Sequence, residues 1–356
     1  MPYLALKMRR PSDWHVHVRQ GRLLKDVVRP SIGHLHYALL MPNLNPVPVS
    51  DAMHAFHYLQ EVQAGLKGLN MVNLWPTLYL TPDTDEAIIR LMYERRNGFC
   101  SVKYYPYNTT THSGFGLRDI HDGWPVFEVM QELDVVLNVH GEVSTDDLAH
   151  AEQMFLELFM EVHEAFPGLR IVFEHVSSAD AINLIMELPA NVAATITAHH
   201  PCLTINDVEH DGVIDQPHHA CLPRAKTEED RQAILAAMLS VKPGDPPKIF
   251  FGSDSAPHRI EDKLKAKPNN GVYSGPVALP VLAELFEDSG LEDWPERLEQ
   301  FVSIAGCKFY GVEPPQDDNY VLLSRIPWAV PEEIGGVVPF RAGQTLRWQV
   351  EDLQRQ

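Results

Sequence analysis

The residues best placed to do chemistry begin with two imidazoles one residue apart. In the run His15-Val16-His17-Val18-Arg19, the two-residue period of a strand puts His15, His17 and Arg19 on one face and the valines on the other. A neutral imidazole is a good zinc ligand, and two on one strand face can share an ion. The motif is short, and two core or solvated histidines would satisfy it as well. What adds weight is that other apolar runs end in ligand-type residues: Lys103 after Ser-Val, His140 after Val-Val-Leu-Asn-Val, His175 after Ile-Val-Phe-Glu, and Asp254 after Lys-Ile-Phe-Phe-Gly-Ser. The lysine is the chemical puzzle, because an ammonium has no lone pair to offer a metal. A lysine deprotonated by burial can add carbon dioxide, however, and the two oxygens of the resulting carbamate could bridge two ions.

Eight β-branched or aromatic runs carry these residues, near 13–18, 35–41, 70–77, 100–105, 135–140, 171–176, 192–198 and 248–253. Helical patterns lie between them at 50–66, 83–96, 147–164, 178–187 and 227–240. In the third of these, Ala151, Phe155, Leu158, Phe159 and Val162 form the stripe of a half-buried helix, and Thr227 is the expected N-cap of the last. Repeated βα order predicts an α/β fold, a closed (β/α)8 TIM-type barrel whose strands aim catalytic groups at one mouth. An open doubly wound sheet is the competitor, but no glycine-rich fingerprint follows the first strand. Residues 1–356 read as a single barrel domain, with about 309–356 as a C-terminal extension; five prolines between 314 and 339 mark it as an extended, wrapping segment.

Composition narrows the partners. With 29 Lys+Arg against 48 Asp+Glu the net charge is −19, a field that repels nucleic acid and anionic membranes. The cysteines at 100, 202, 221 and 307 are too sparse for a disulfide framework or a cysteine-rich zinc module. No apolar targeting segment opens the sequence and no run approaches a membrane span, so a cytoplasmic protein with reduced thiols is expected.

Together, HVHVR at 15–19, MPN at 41–43, SVKYYP at 101–106, NVHGE at 138–142, FEH at 173–175, CLP at 221–223, GSDSAPH at 252–258 and VPFRAGQTLRW at 338–348 resemble the small, monofunctional bacterial dihydroorotases of the amidohydrolase superfamily. The resemblance runs the length of the chain. It implies the (β/α)8 barrel and the reversible cyclisation of N-carbamoyl-L-aspartate to L-dihydroorotate in pyrimidine synthesis. It further implies two zinc ions per subunit: His15, His17 and Asp254 would hold one, His140 and His175 the other, with carboxylated Lys103 (N6-carboxylysine) and a hydroxide between them. Asp254 would also shuttle the proton. A homodimer is the family expectation.

For the anionic substrate, Arg19 offers a planar fork suited to a carboxylate, Asn43 an amide donor and His258 a third contact, while the Leu222 backbone could read the pyrimidine edge. The loop 107–116, rich in Thr, Ser and Gly, looks like a lid, and Thr110 and Thr111 fall where the family supplies two hydroxyls. Between His258 and Pro276 the sequence departs from the family's cysteine-rich stretch, which leaves the expected backbone contact at Asn270 the weakest of these assignments. Another cyclic amidohydrolase, of hydantoinase or allantoinase type, and a non-catalytic barrel remain as competing functions.

Overall fold

The computed structural model describes residues 4–69, 71–95 and 101–351. Eight short parallel strands coincide with the eight apolar runs: β1 (Asp13–Val16), β2 (Tyr37–Leu40), β3 (Asn73–Pro76, continued by Leu78–Tyr79), β4 (Ser101–Tyr104), β5 (Val136–Val139), β6 (Ile171–Phe173), β7 (Val192–Ile196) and β8 (Ile249–Phe251). Cys100 and Asn70, at the starts of two of the expected runs, and Arg96, the end of the expected helix 83–96, lie outside the described residues. Strand β3 joins two arcs, because Asn73–Pro76 pairs with β2 and Leu78–Tyr79 with β4. The ring closes between β8 and β1 through Asp254 N–H to His15 O (2.9 Å) and His17 N–H to Ser255 O (3.0 Å). That seam itself carries three of the candidate ligands.

Strand sides divide the core. Outward residues such as Val102, Leu137, Phe173 and Ile196 pack under the helices, while Trp14, Leu39, Val136, Val172, Ala193 and Phe250 form a floor inside the barrel. The helix Ala305–Tyr310 plugs that floor: Tyr310 stacks on Trp14 with ring centroids 4.4 Å apart. Gly306 is required there, since a Cβ would lie 2.0 Å from Trp14 Nε1. A hydrophobic floor leaves only the opposite end, where the polar residues cluster, open for chemistry.

The expected helices appear as Ala52–Leu66, Glu86–Arg95, Ala151–Ala165, Ala179–Glu187 and Glu228–Ser240. Thr227 caps the last, accepting the Asp230 N–H in a capping box. Two further helices between barrel strands, Gly21–Ile32 and Trp124–Glu132, were not among those expected. The first is amphipathic but carries Pro30 and no side-chain cap, and the second opens with a proline in its first turn, where that residue is favoured. The tail is extended from Val312 onward, slightly later than expected, because the plug helix runs to Tyr310. Its strand Tyr320–Ser324 pairs with both Ala5–Arg9 and Gln349–Val350, so the two ends of the chain share one small sheet outside the barrel.

Candidate active site

The ends of β1, β5, β6 and β8 bring His15, His17, His140, His175 and Asp254 to the mouth, each less than a tenth exposed, with Lys103 of β4 beneath them and fully buried. The nitrogens and oxygen converge: His15 Nε2 to His17 Nε2 is 3.3 Å, and Asp254 Oδ1 lies 3.2 Å from both. Across the site His140 Nδ1 and His175 Nε2 are 3.2 Å apart. Donors held about 2.0–2.1 Å from a tetrahedral zinc are roughly 3.3 Å from one another, so both groups have the spacing of atoms sharing an ion. Glu174, not singled out from the sequence, fills the space between them. Its carboxylate meets His15 Nδ1 at 3.1 Å, accepts from Asn138 Nδ2 at 2.8 Å, and pairs with Lys103 Nζ. Glu142 does the same for His140 Nε2 at 2.8 Å, leaving Nδ1 toward the site. Carboxylates behind imidazoles are the usual means of fixing a ligand's tautomer.

Backbone conformation explains why two of these side chains reach the mouth. Phe173 faces outward and Glu174 inward, so simple alternation would send His175 away from the site. His175 instead takes φ 43°, as does Asp254, and Arg19 takes φ 59°. Left-handed backbone at three non-glycine residues of one site is strain retained where it aims a functional group.

Electrostatics favours a cation in this cluster. Burial works against a charged His15, yet Glu174 and Asp254 raise its pKa to about 9. Burial alone would raise Asp254 too, but hydrogen bonds from His15 and His17 hold it well below the usual carboxylate range. His17 is driven down to about 3, chiefly by burial. The carboxylates thus create a potential that draws positive charge between the imidazoles, and His17 stays neutral with a lone pair available. Lys103 is lowered by burial against the opposing pull of Glu174, the direction carbamate formation needs.

Above these candidate ligands lies a small cavity, of about 20 Å3, walled by Arg19, Asn43, Tyr105, Thr110, Thr111, Leu222, Ala256, Asn270 and Gly271 with the histidines and Asp254. His258 stands behind this wall. Its Nε2 donates to Asn270 O at 2.8 Å and also lies 3.0 Å from Arg19 Nη2, while the guanidinium is fixed by donating from Nε to Pro257 O at 3.0 Å. The expected lid is folded over the cavity: Asn43 Nδ2 donates to Thr111 O (2.8 Å), and Thr111 Oγ1 to Asn270 O (3.3 Å). Asn270 therefore sits on the wall with its carbonyl engaged. Gly271 beside it has φ 146°, and a Cβ would come 2.6 Å from Ala256 O. Lys263 Nζ ties the segment down by donating to Ala220 O, Asn269 O and Gly271 O at 2.8–3.0 Å. Tyr105 and Glu174 were legible in principle, since both lie inside quoted motifs; Glu174 is of ligand type and stands close to His15 and His175, but the strand-end position of His175 drew the assignment instead.

Comparisons with known proteins identify the family. The amidohydrolase family profile matches residues 57–259. The dihydroorotase of Nitrosococcus oceani is 38% identical over 98% of this chain and 99% of its own. Among solved structures, the Saccharomyces cerevisiae dihydroorotase in complex with 5-fluoroorotic acid superposes with a TM-score of 0.86 at 32% identity, covering 98% of this chain and 99% of that one. The Campylobacter jejuni dihydroorotase gives 0.85 at 32% identity, with 99% of each chain covered. The fold is the barrel those enzymes share, and the chain belongs to the dihydroorotase family of the amidohydrolases.

Proposed function

We propose that the buried histidine cluster carries out the dihydroorotase reaction, the reversible cyclisation of N-carbamoyl-L-aspartate to L-dihydroorotate in pyrimidine biosynthesis, with two zinc ions. His15, His17 and Asp254 would hold one ion and His140 and His175 the other, with carboxylated Lys103 between them. The observation that carries this reading is the 3.2–3.3 Å convergence of buried donors in both groups. Ions bound there supply Lewis acidity to the ring amide carbonyl and make water nucleophilic near neutral pH. Asp254, held as a carboxylate, takes the proton of the attacking water and delivers it to the ring nitrogen as the carbonyl C–N bond breaks. Arg19, held by the Pro257 carbonyl, would bind the ring carboxylate with Asn43 and His258, and the Leu222 and Asn270 backbones would face the ring edge. The yeast enzyme's complex with 5-fluoroorotic acid, an aromatic pyrimidine carboxylate, supports a ring of that class.

The whole chain would form one catalytic domain, with 309–356 as its extension, in a cytoplasmic homodimer. Among the described residues no helix is long and apolar enough to cross a membrane. Hydantoinase-type chemistry uses similar ligands, but Arg19 on the cavity wall favours a ring bearing a carboxylate. Turnover of L-dihydroorotate should therefore exceed that of dihydrouracil, which lacks the carboxylate; equal rates would overturn the substrate assignment.

Ring opening creates a carboxylate with an unperturbed pKa of about 4, so above that pH it releases a proton and cyclisation consumes one. Lowering pH from about 8 to about 6 should raise the equilibrium ratio of dihydroorotate to carbamoylaspartate on the order of 100-fold. Chromatography of equilibrated mixtures measures this, and a ratio independent of pH would exclude the reaction.

The lid gives a separate expectation. Replacing both Thr110 and Thr111 by Ala removes the hydroxyl contact to Asn270 and any offered to substrate, so turnover should fall while bound metal is unchanged. Steady-state kinetics beside metal analysis reads both quantities. Unchanged kinetics would make 107–116 an ordinary surface loop.

A further inference from the structure

Where β7 runs out, the chain places His199 and His200, and the segment following the short helical turn Pro217–His219 returns Cys221 to the same place. All three are buried, with at most 2% exposure. One ligand atom from each lies within 4.8 Å of the others, and Cys221 Sγ is 3.9 Å from His200 Nε2. The cluster shares no residue with the catalytic ligands.

His199 is the telling member. It is fully buried, and among the described residues neither of its ring nitrogens has a hydrogen-bond partner. A buried imidazole that leaves both an N–H and a lone pair unmatched calls for an explanation, and ligation of a cation is one. His200 is matched on both sides, with Nδ1 3.0 Å from Thr197 Oγ1 and Nε2 3.1 Å from Pro223 O. Those contacts also suit ligation. Moving the ring proton from Nε2 to Nδ1 lets the imidazole donate to Thr197 and frees Nε2, while the Pro223 carbonyl oxygen stands where a fourth ligand belongs.

We infer that His199, His200 and Cys221, with the Pro223 carbonyl, form a further metal site for a borderline-soft divalent cation of the zinc type. The donor set is chemically apt, since two imidazoles and a thiolate favour such ions over magnesium or calcium. Binding forms a bond from the cation to Cys221 sulfur and releases the thiol proton to solvent; no oxidant or reductant is involved. Burial pushes the Cys221 thiol up to about 12, so without a cation it stays protonated and inert. Occupancy would fasten the end of β7 to residues 220–223, the segment that carries Leu222 to the cavity wall.

Cobalt is the probe. The catalytic cluster offers only nitrogen and oxygen donors, so a thiolate-to-cobalt charge-transfer band in the near ultraviolet reports this site alone. Full-length protein loaded with Co2+ should show the band and one ion more per chain than the Cys221→Ser variant, which should lack it. Cys202→Ser should keep the band. His199→Gln retains hydrogen-bonding groups and should also lose both the band and the extra ion, which serves if Cys221→Ser folds poorly. Absence of the band in the wild-type protein, or its persistence in Cys221→Ser or His199→Gln, would overturn the site.

Discussion

Lys103→Ala is expected to fold as a barrel, to lose at least one bound metal ion and to retain almost no turnover. Lys103 lies beneath both groups of donors and is fully buried. As an unmodified lysine it pairs with Glu174. As a carbamate it would put a bidentate anion between two dications that otherwise repel each other. Removing it subtracts that charge. In protein not yet carboxylated the same change takes away the Lys103 partner of Glu174, which then keeps His15 and Asn138, and breaking a buried pair of that kind costs about 3–5 kcal/mol. Helical circular dichroism separates the two effects, because it reads the fold and not the bound metal. Lys103→Glu supplies a carboxylate on a shorter stem and should bind metal partially with poor turnover. Short carboxylic acids added to Lys103→Ala should restore some activity. Full metal content and normal turnover in Lys103→Ala would remove the bridging role.

Arg19→Ala should cut dihydroorotate turnover by one to two decades while leaving metal content intact. A charge-assisted contact to a carboxylate contributes about 1.5–3 kcal/mol. Arg19 lies on the cavity wall but coordinates nothing, since its contacts are Pro257 O and His258. The loss should be smaller for a ring without a carboxylate, and that differential isolates recognition from general damage. Substantial metal loss in the variant would show that Arg19 supports the ligands instead. The acidity of the chain as a whole makes this local charge the more necessary, because a net −19 repels an anionic substrate everywhere else.

The barrel was legible because β-branched runs alternate with helical patterns and several end in ligand-type residues, and each run became a strand. The ligands were legible by residue type. Their aim was not, since the φ values of His175 and Asp254 break the alternation that a strand pattern assumes. Glu174 and Glu142 escaped notice for a related reason: an acid behind an imidazole has no one-dimensional spacing, only a contact between strands. The pairing of Ala5–Arg9 with Tyr320–Ser324 joins segments more than 300 residues apart and carries no local signal. His258 was assigned to substrate by family position, and the contact of its Nε2 with the Asn270 carbonyl joins two segments that the motif does not link. A motif indicates that a residue matters before it indicates which atom it touches.

The central claim is two ions bridged by a modified Lys103 in a working enzyme. Its most direct test is an anomalous difference map at the zinc edge from crystals of protein that turns over L-dihydroorotate. The account predicts two peaks in the mouth, one among His15, His17 and Asp254 and one beside His140 and His175, with continuous density for an added carboxyl on Lys103 Nζ between them. A single peak there, or an unmodified Lys103 still paired with Glu174 in active protein, would contradict it.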